Sequence, residues 1–339
     1  MTFRSILCPV DFSPQSRTAL EHAVAMARRF ASRLAVVYVN DPLLLAAAKT
    51  AYRGQRHFVD QTRAELARFV KPVASVWRER HEHVALVVSA GNPAEEILSQ
   101  VRQRRSDLVV MGSHGLSGIQ KVFFGSTTEQ VLRQASAPVL AVPPATRKAG
   151  GRGIEFARVI APIDLAGEWQ SDAVRAATIA NEFNARLLLV HVLAPVQAPP
   201  WARAAARANE RRRIEKATAA LERVRTKLFA RLQPITSHVV VGNPADAIVR
   251  LANSRGSLVV MSLRGTAGVW GMRRGAIAYR VLTHSSTPVL ALPRRRIGGR
   301  FLVRARSAVN EMLTARDRTE MAGIDALLSV GAGRTPLKR

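Results

Sequence analysis

Gly112-Ser-His-Gly115, nine further residues, and then Gly125-Ser126-Thr127-Thr128 form the stretch of this chain best equipped to hold a ligand. The apolar run DLVVMG (107–112) precedes it and the helical pattern STTEQVLRQA (126–135) follows, so it joins a strand's carboxyl end to a helix start. A helix start exposes amides that have no partner inside the helix, and glycines let an anion reach them, which suits phosphate. The hydroxyls of Ser126, Thr127 and Thr128 offer further hydrogen bonds, and His114 lies inside the loop, either against phosphate or in solvent. No Gly-Lys-Ser/Thr follows, so this is not a Walker A loop, and the spacing is not the G-x-G-x-x-G dinucleotide turn. A ligand-free account stands beside this one, because Ser126 and Glu129 fit an S-x-x-E capping box.

Asp11 is the second candidate. It ends the apolar strand ILCPV (6–10), and in an open parallel sheet the first and fourth strands flank the crevice where ligands bind. A carboxylate there can accept a hydrogen bond from a sugar hydroxyl or an exocyclic amine. An Asx turn or N-cap role in V-D-F-S-P is equally natural.

The elements that must position these residues occur twice. RSILCPVDFS (4–13) returns as ARVIAPIDLA (157–166), AGNPAEEIL (90–98) as VGNPADAIV (241–249), and DLVVMGSHGLSG (107–118) as SLVVMSLRGTAG (257–268). SAPVLAVP (136–143) returns as STPVLALP (286–293). In the first copy, strands are expected at 6–10, 33–40, 84–90, 107–112 and 137–143, with helices at about 14–30, 59–79, 92–104 and 126–135. Ser13 is the expected N-cap of the first helix, with Pro14 at its first position. Strands apolar on both faces and alternating with helices indicate two tandem doubly wound α/β domains, each a five-stranded parallel sheet flanked by four helices. The domains are expected at 1–145 and 156–293, with a linker at 146–155 and a basic, partly helical or disordered extension at 294–339.

Composition narrows the function classes. The chain has 339 residues, a formal net charge of +27 and one cysteine, Cys8, inside an apolar strand. A lone cysteine makes no internal disulfide and suits a reducing cytosol, and no uncharged apolar run is long enough to span a membrane. The N-terminus lacks the long apolar stretch of a signal peptide, so a cytoplasmic location is expected. Basic residues concentrate in 201–231 and in the tail opening RRRIGGR, a field that attracts polyanions without naming one. His81-Glu82-His83 is not a zinc helix motif, since the two imidazoles do not stand at i and i+4.

At the glycine loop, at V-D of the first strand and at A-P-V-L of the fifth, the sequence resembles the universal stress protein family, across both copies. The nucleotide-binding branch of that family has the pattern G-x2-G-x9-G-(S/T), which Gly112, Gly115, Gly125 and Ser126 match in full. The resemblance implies ATP as ligand, with magnesium as its companion. It implies that Asp11 and the strand-two backbone at Val39 hold adenine and that Pro9 and Val10 line that pocket. Met111 through Thr128 would wrap ribose and phosphates. It also implies dimerisation edge to edge through strand five, which a tandem chain can make internally as a pseudo-dimer or with a second chain as a homodimer.

The second copy departs from the pattern. Ser262 replaces the first glycine and Ala276 the hydroxyl residue, while Gly265 and Gly275 keep their spacing. Asp164 and Val192 stand where Asp11 and Val39 stand in the first copy, so a weak or empty second site is expected. Arg264, Arg273 and Arg274 offer partial compensation by charge, or simply a solvated basic loop. No Ser-His-Asp or Cys-His arrangement suggests catalysis, and slow ATP hydrolysis is left without an evident general base. The function expected is a stress-response regulator or sensor that binds ATP and is read by protein partners. The alternative is a nucleotide-independent basic protein that holds nucleic acid or an anionic membrane surface. Glu210, Glu215 and Glu222 among the arginines of 201–231, and the lack of a recognition motif, weigh against specific nucleic-acid binding.

Overall fold

The computed structural model of the chain describes residues 3–51, 55–74, 84–113, 125–144, 146, 154–165, 169–229, 235–254, 256–263 and 276–293. Among the described residues, ten strands form one sheet in the order β3-β2-β1-β4-β5-β10-β9-β6-β7-β8. The first half contributes β1 (Ser5–Pro9), β2 (Arg33–Asn40), β3 (Val84–Ala90), β4 (Leu108–Gly112) and β5 (Val139–Val142). The second contributes β6 (Arg158–Pro162), β7 (Arg186–Leu193), β8 (Ile235–Val241), β9 (Ser257–Ser262) and β10 (Val289–Leu292). Within each half all pairings are parallel, and the halves meet where β10 runs antiparallel to β5, with Leu290 opposite Leu140.

The first half carries α1 (Pro14–Phe30), α2 (Pro42–Ala51), α3 (Gln55–Ala74), α4 (Pro93–Gln103) and α5 (Ser126–Gln134). The second carries α6 (Trp169–Phe183), a 3-10 turn at Pro200–Ala202, α7 (Arg203–Phe229), α8 (Pro244–Ala252) and α9 (Ala276–His284). Among the described residues the first half thus has five helices where four were expected. The extra one, α2, is PLLLAAAKTA, which has no polar face to give a period, so pattern alone does not separate it from a loop. The helix expected at 59–79 runs Gln55–Ala74, and residues 75–83, with His81, Glu82 and His83, lie outside the described residues. So do the tail at 294–339 and residues 147–153 of the expected linker.

Helix starts explain the precision of several boundaries. Ser13 caps α1, its Oγ accepting from Ser16 N at 3.0 Å, with Pro14 first in the helix. Asn92 caps α4 and Asn243 caps α8 by the same pair of bonds, each preceded by a glycine at φ +147 or +154, where a side chain would be strained.

A continuous core crosses the junction. Val139, Ala141, Val289 and Ala291 share it with residues of α4, α5, α8 and α9 on one face of the sheet. Alternation along a strand sends Leu140 and Leu290 to the other face, where α1 and α6 meet. There Phe30 and Phe183 stack edge-on at 5.6 Å, Phe3 and Phe156 extend the cluster, and Arg29 donates to the Glu182 carbonyl at 2.8 Å.

His22 lies buried in α1, its Nδ1 2.8 Å from the Thr18 carbonyl. Desolvation lowers its pKa below the ordinary 6.5, outweighing that backbone bond. The unfolded chain therefore takes up the proton first, so stability is full above the unfolded value and declines as pH falls below it. Urea unfolding midpoints should drop between about pH 7.5 and about pH 5.5, and His22→Leu should shrink that drop. An unchanged pH dependence in the variant would exclude His22 as its source.

Candidate functional site

The first-half crevice forms where the strand order reverses, between β1 and β4. Pro9 closes β1, and Val10 continues its path, buried, with its N–H donating to the Val37 carbonyl at 2.9 Å. Asp11 comes next, half-buried. Its Oδ1 accepts from Ser13 N at 3.1 Å and from Ser13 Oγ at 2.5 Å, and its own N–H donates to Ser16 Oγ at 3.3 Å. The Asx turn is therefore present, and it holds the carboxylate at the strand end beside the start of α1.

Phe12, between Asp11 and Ser13, takes φ 61. A non-glycine residue in this region costs about 1–3 kcal/mol and needs its surroundings to hold it. Here the ring lies 4.4 Å from that of Tyr38 and 5.4 Å from that of Phe69, over which the Arg17 guanidinium sits at 4.1 Å. Burial pushes the Tyr38 hydroxyl up in pKa, and the charges of Asp11 and Asp41 add to the effect. This aromatic shelf escaped the sequence reading, since Phe12, Tyr38 and Phe69 belong to three elements. Val39 points to the opposite face, against the core shared with α4 and α5.

Across the crevice, Met111 is buried and Gly112 ends β4. Gly125 N–H donates to the Ser113 carbonyl at 3.3 Å, and Thr128 Oγ1 donates to the Gly112 carbonyl at 3.0 Å. Thr128 is buried and acts as a staple between strand and helix, while Ser126 is exposed and Thr127 half-buried. Residues 114–124, including His114 and Gly115, lie outside the described residues.

The S-x-x-E capping box does not form. Gly125 is the N-cap of α5, with Ser126 already the first helical residue and no side chain bonded to the cap. Glu129 N–H donates to the Gly125 carbonyl at 2.9 Å, and the Glu129 carboxylate lies 3.6 Å from Arg133 instead of reaching back. Gly125 has φ −61 and ψ 131, nearly the values of the capping asparagines 92 and 243. Any residue adopts that conformation, so backbone geometry does not require glycine there. Its effect is to leave the first amides of α5 open, where asparagine closes those of α4 and α8.

The second half arranges the matching positions differently. Asp164 is exposed and Val192 half-buried, while Gly265, Gly275, Arg264, Arg273 and Arg274 lie outside the described residues. Ser262 Oγ donates to Asp172 Oδ1 at 2.6 Å, and Arg175 donates twice to the Pro293 carbonyl at 3.3 Å. Where α5 begins Ser-Thr-Thr, α9 begins Ala276-Ile277-Ala278. Aligning the copies shows both substitutions, since Gly112 and Ala19 occupy those places in the first half, but the bond between them is visible only in the fold. Among the described residues no group of three His, Cys, Asp or Glu side chains gathers as a metal site.

Comparison with known proteins agrees with this architecture. The profile of the universal stress protein family matches residues 2–143 and again 155–293. Universal stress protein Rv1996 of Mycobacterium tuberculosis is 27% identical over 306 residues, covering 84% of this chain and 93% of its own length. Universal stress protein MJ0531 of Methanocaldococcus jannaschii is 29% identical over 142 residues, 41% of this chain and 82% of that one. The crystal structure of a universal stress protein from Archaeoglobus fulgidus superposes with a TM-score of 0.58 at 22% identity, covering 87% of this chain and all of the other.

Proposed function

Because the chain belongs to the universal stress protein family along both halves, we propose that its first half binds ATP and that the protein is a nucleotide-responsive regulator. The observation that carries this reading is Gly125, an uncapped helix start facing the switch-point crevice in a conformation that any capping residue could adopt. Open amides at the positive end of a helix favour an anion, and a missing Cβ lets it approach.

In this proposal Asp11 and the Val39 backbone hold adenine, and Pro9 and Val10 line the pocket. Met111, Gly112, His114, Gly115, Gly125, Ser126 and Thr127 surround ribose and phosphates. Thr128 contributes through its staple to Gly112 rather than through a free hydroxyl. Magnesium enters only as the counter-ion that the triphosphate carries. ATP bound in the crevice changes a surface presented to protein partners in the cytosol. The second crevice stays weak or empty. The Ser262 hydroxyl is engaged by Asp172, and Ala276, Ile277 and Ala278 offer no hydroxyl.

Calorimetric titration of the full chain with Mg-ATP tests the proposal. One nucleotide per chain is expected. Asp11→Ala should weaken binding by about ten- to a hundredfold, the worth of a hydrogen bond to a charged group. Asp11→Asn keeps an acceptor for Ser13 and should preserve the fold while losing less affinity. Two equivalent sites, or an Asp11→Ala variant with unaltered affinity, would sink the assignment.

A further inference from the structure

The long helix α7 has two unlike parts. Ala217, Leu221 and Val224 bury one stripe of its later turns, and Ser237 on β8 bonds Glu222 there at 2.5 Å. Residues 203–212 have no buried member: Arg203, Ala204, Ala205, Arg207, Ala208, Asn209, Arg211 and Arg212 are all exposed. Such a segment persists as helix only through its continuity with the docked turns, and its arginines at i and i+4 repel one another. None of those four arginines has a carboxylate partner among the described residues.

Just before this helix stands the most exposed large apolar side chain among the described residues. Trp201 is 88% accessible in the 3-10 turn, and Val196 is 43% accessible in the extended, proline-rich lead from β7. The Arg213 guanidinium holds that lead in place by donating to the Ala194 carbonyl at 3.1 Å, and Ala202 N–H closes the turn onto the Pro199 carbonyl. An exposed indole and a row of arginines without carboxylate partners thus share one tip of the molecule.

We propose that residues 196–212 are a docking tip for an anionic phospholipid surface. Trp201 seats in the headgroup layer, and Arg203, Arg207, Arg211 and Arg212 meet the lipid phosphates. The chemistry matches on both counts. An indole prefers the boundary between water and hydrocarbon, and basic residues beside an inserted apolar group supply the second attraction that peripheral binding requires. A single-stranded nucleic acid fits less well, because its binding sites stack successive bases on several aromatics. Trp201 is the only aromatic residue between Ala194 and Leu228. No described helix is long and apolar enough to cross a membrane, so the contact is peripheral. It is independent of the ATP proposal.

The test is co-sedimentation of the full chain with phosphatidylcholine vesicles, with and without phosphatidylglycerol, beside an oligonucleotide competitor. Binding to the anionic vesicles alone is expected, weakening with salt. Replacing Arg203, Arg207 and Arg211 by Gln should weaken it by about a hundredfold, at roughly fivefold per arginine. Trp201→Ala should cost about tenfold and Trp201→Phe less. With Trp77, Trp169 and Trp270 replaced by Phe, the remaining Trp201 emission should shift blue on anionic vesicles only. The proposal is overturned if the variants bind vesicles like the parent chain, if phosphatidylglycerol makes no difference, or if Trp201 governs oligonucleotide binding more strongly than vesicle binding.

Discussion

Gly125→Asp should make the protein more stable and nearly unable to bind ATP. The backbone at 125 already has cap geometry, so an aspartate there can accept from the open amides of α5 as Asn92 does for α4. Stability should rise by about 0.5–1 kcal/mol from the cap bond and the favourable charge at a helix start. The same carboxylate occupies the amides that the phosphates need and repels them. Affinity should fall by about a hundredfold or more, since charge-assisted bonds worth roughly 1.5–3 kcal/mol each are lost. Thermal melting without ligand and titration with Mg-ATP measure the two effects on one sample. A variant that is destabilised, or that binds ATP normally, would contradict the role given to Gly125.

Leu140→Ala should cost about 2–5 kcal/mol, the usual range for emptying a fully buried leucine site. Its size has a particular origin. Leu140 and Leu290 are register partners at the centre of the antiparallel junction, between the faces of α1 and α6. Deleting one removes packing from both halves. Leu290→Ala should cost a similar amount, and the double variant should lose less than the two losses combined, with a coupling of about 0.5–3 kcal/mol. Equilibrium unfolding in urea provides all three values. Strict additivity, or unfolding in two separate transitions, would show that the halves are thermodynamically independent.

How legible all this was in the sequence varied with the physics of each element. The limits of β2 and α1 were readable because the first is apolar on both faces and the second has Ser13 and Pro14 at its start. The edge-to-edge contact of the fifth strands is what the family resemblance implies, whereas its antiparallel sense and its formation within one chain are read from the structure. The helix α2 was missed because alanine and leucine fill it without a period. The capping box at Ser126 misled because a four-residue signature fits two registers, and the helix takes the earlier one, placing glycine at the cap. The helix start is therefore open, as the phosphate-site reading expects, and the ligand-free alternative does not form. The Asp172–Ser262 pair and the aromatic shelf at Phe12 unite residues far apart in sequence, and only the assembled sheet brings them together.

The single reversed pairing between β5 and β10 has a directional outcome. Every strand of one half ends at one rim of the sheet, and every strand of the other half ends at the opposite rim. The crevice beside Asp11 and the tip at Trp201 therefore look away from each other. Under the two proposals made above, a molecule moored on a bilayer by its tryptophan would keep the Asp11 crevice turned toward bulk solvent, free to exchange ligand.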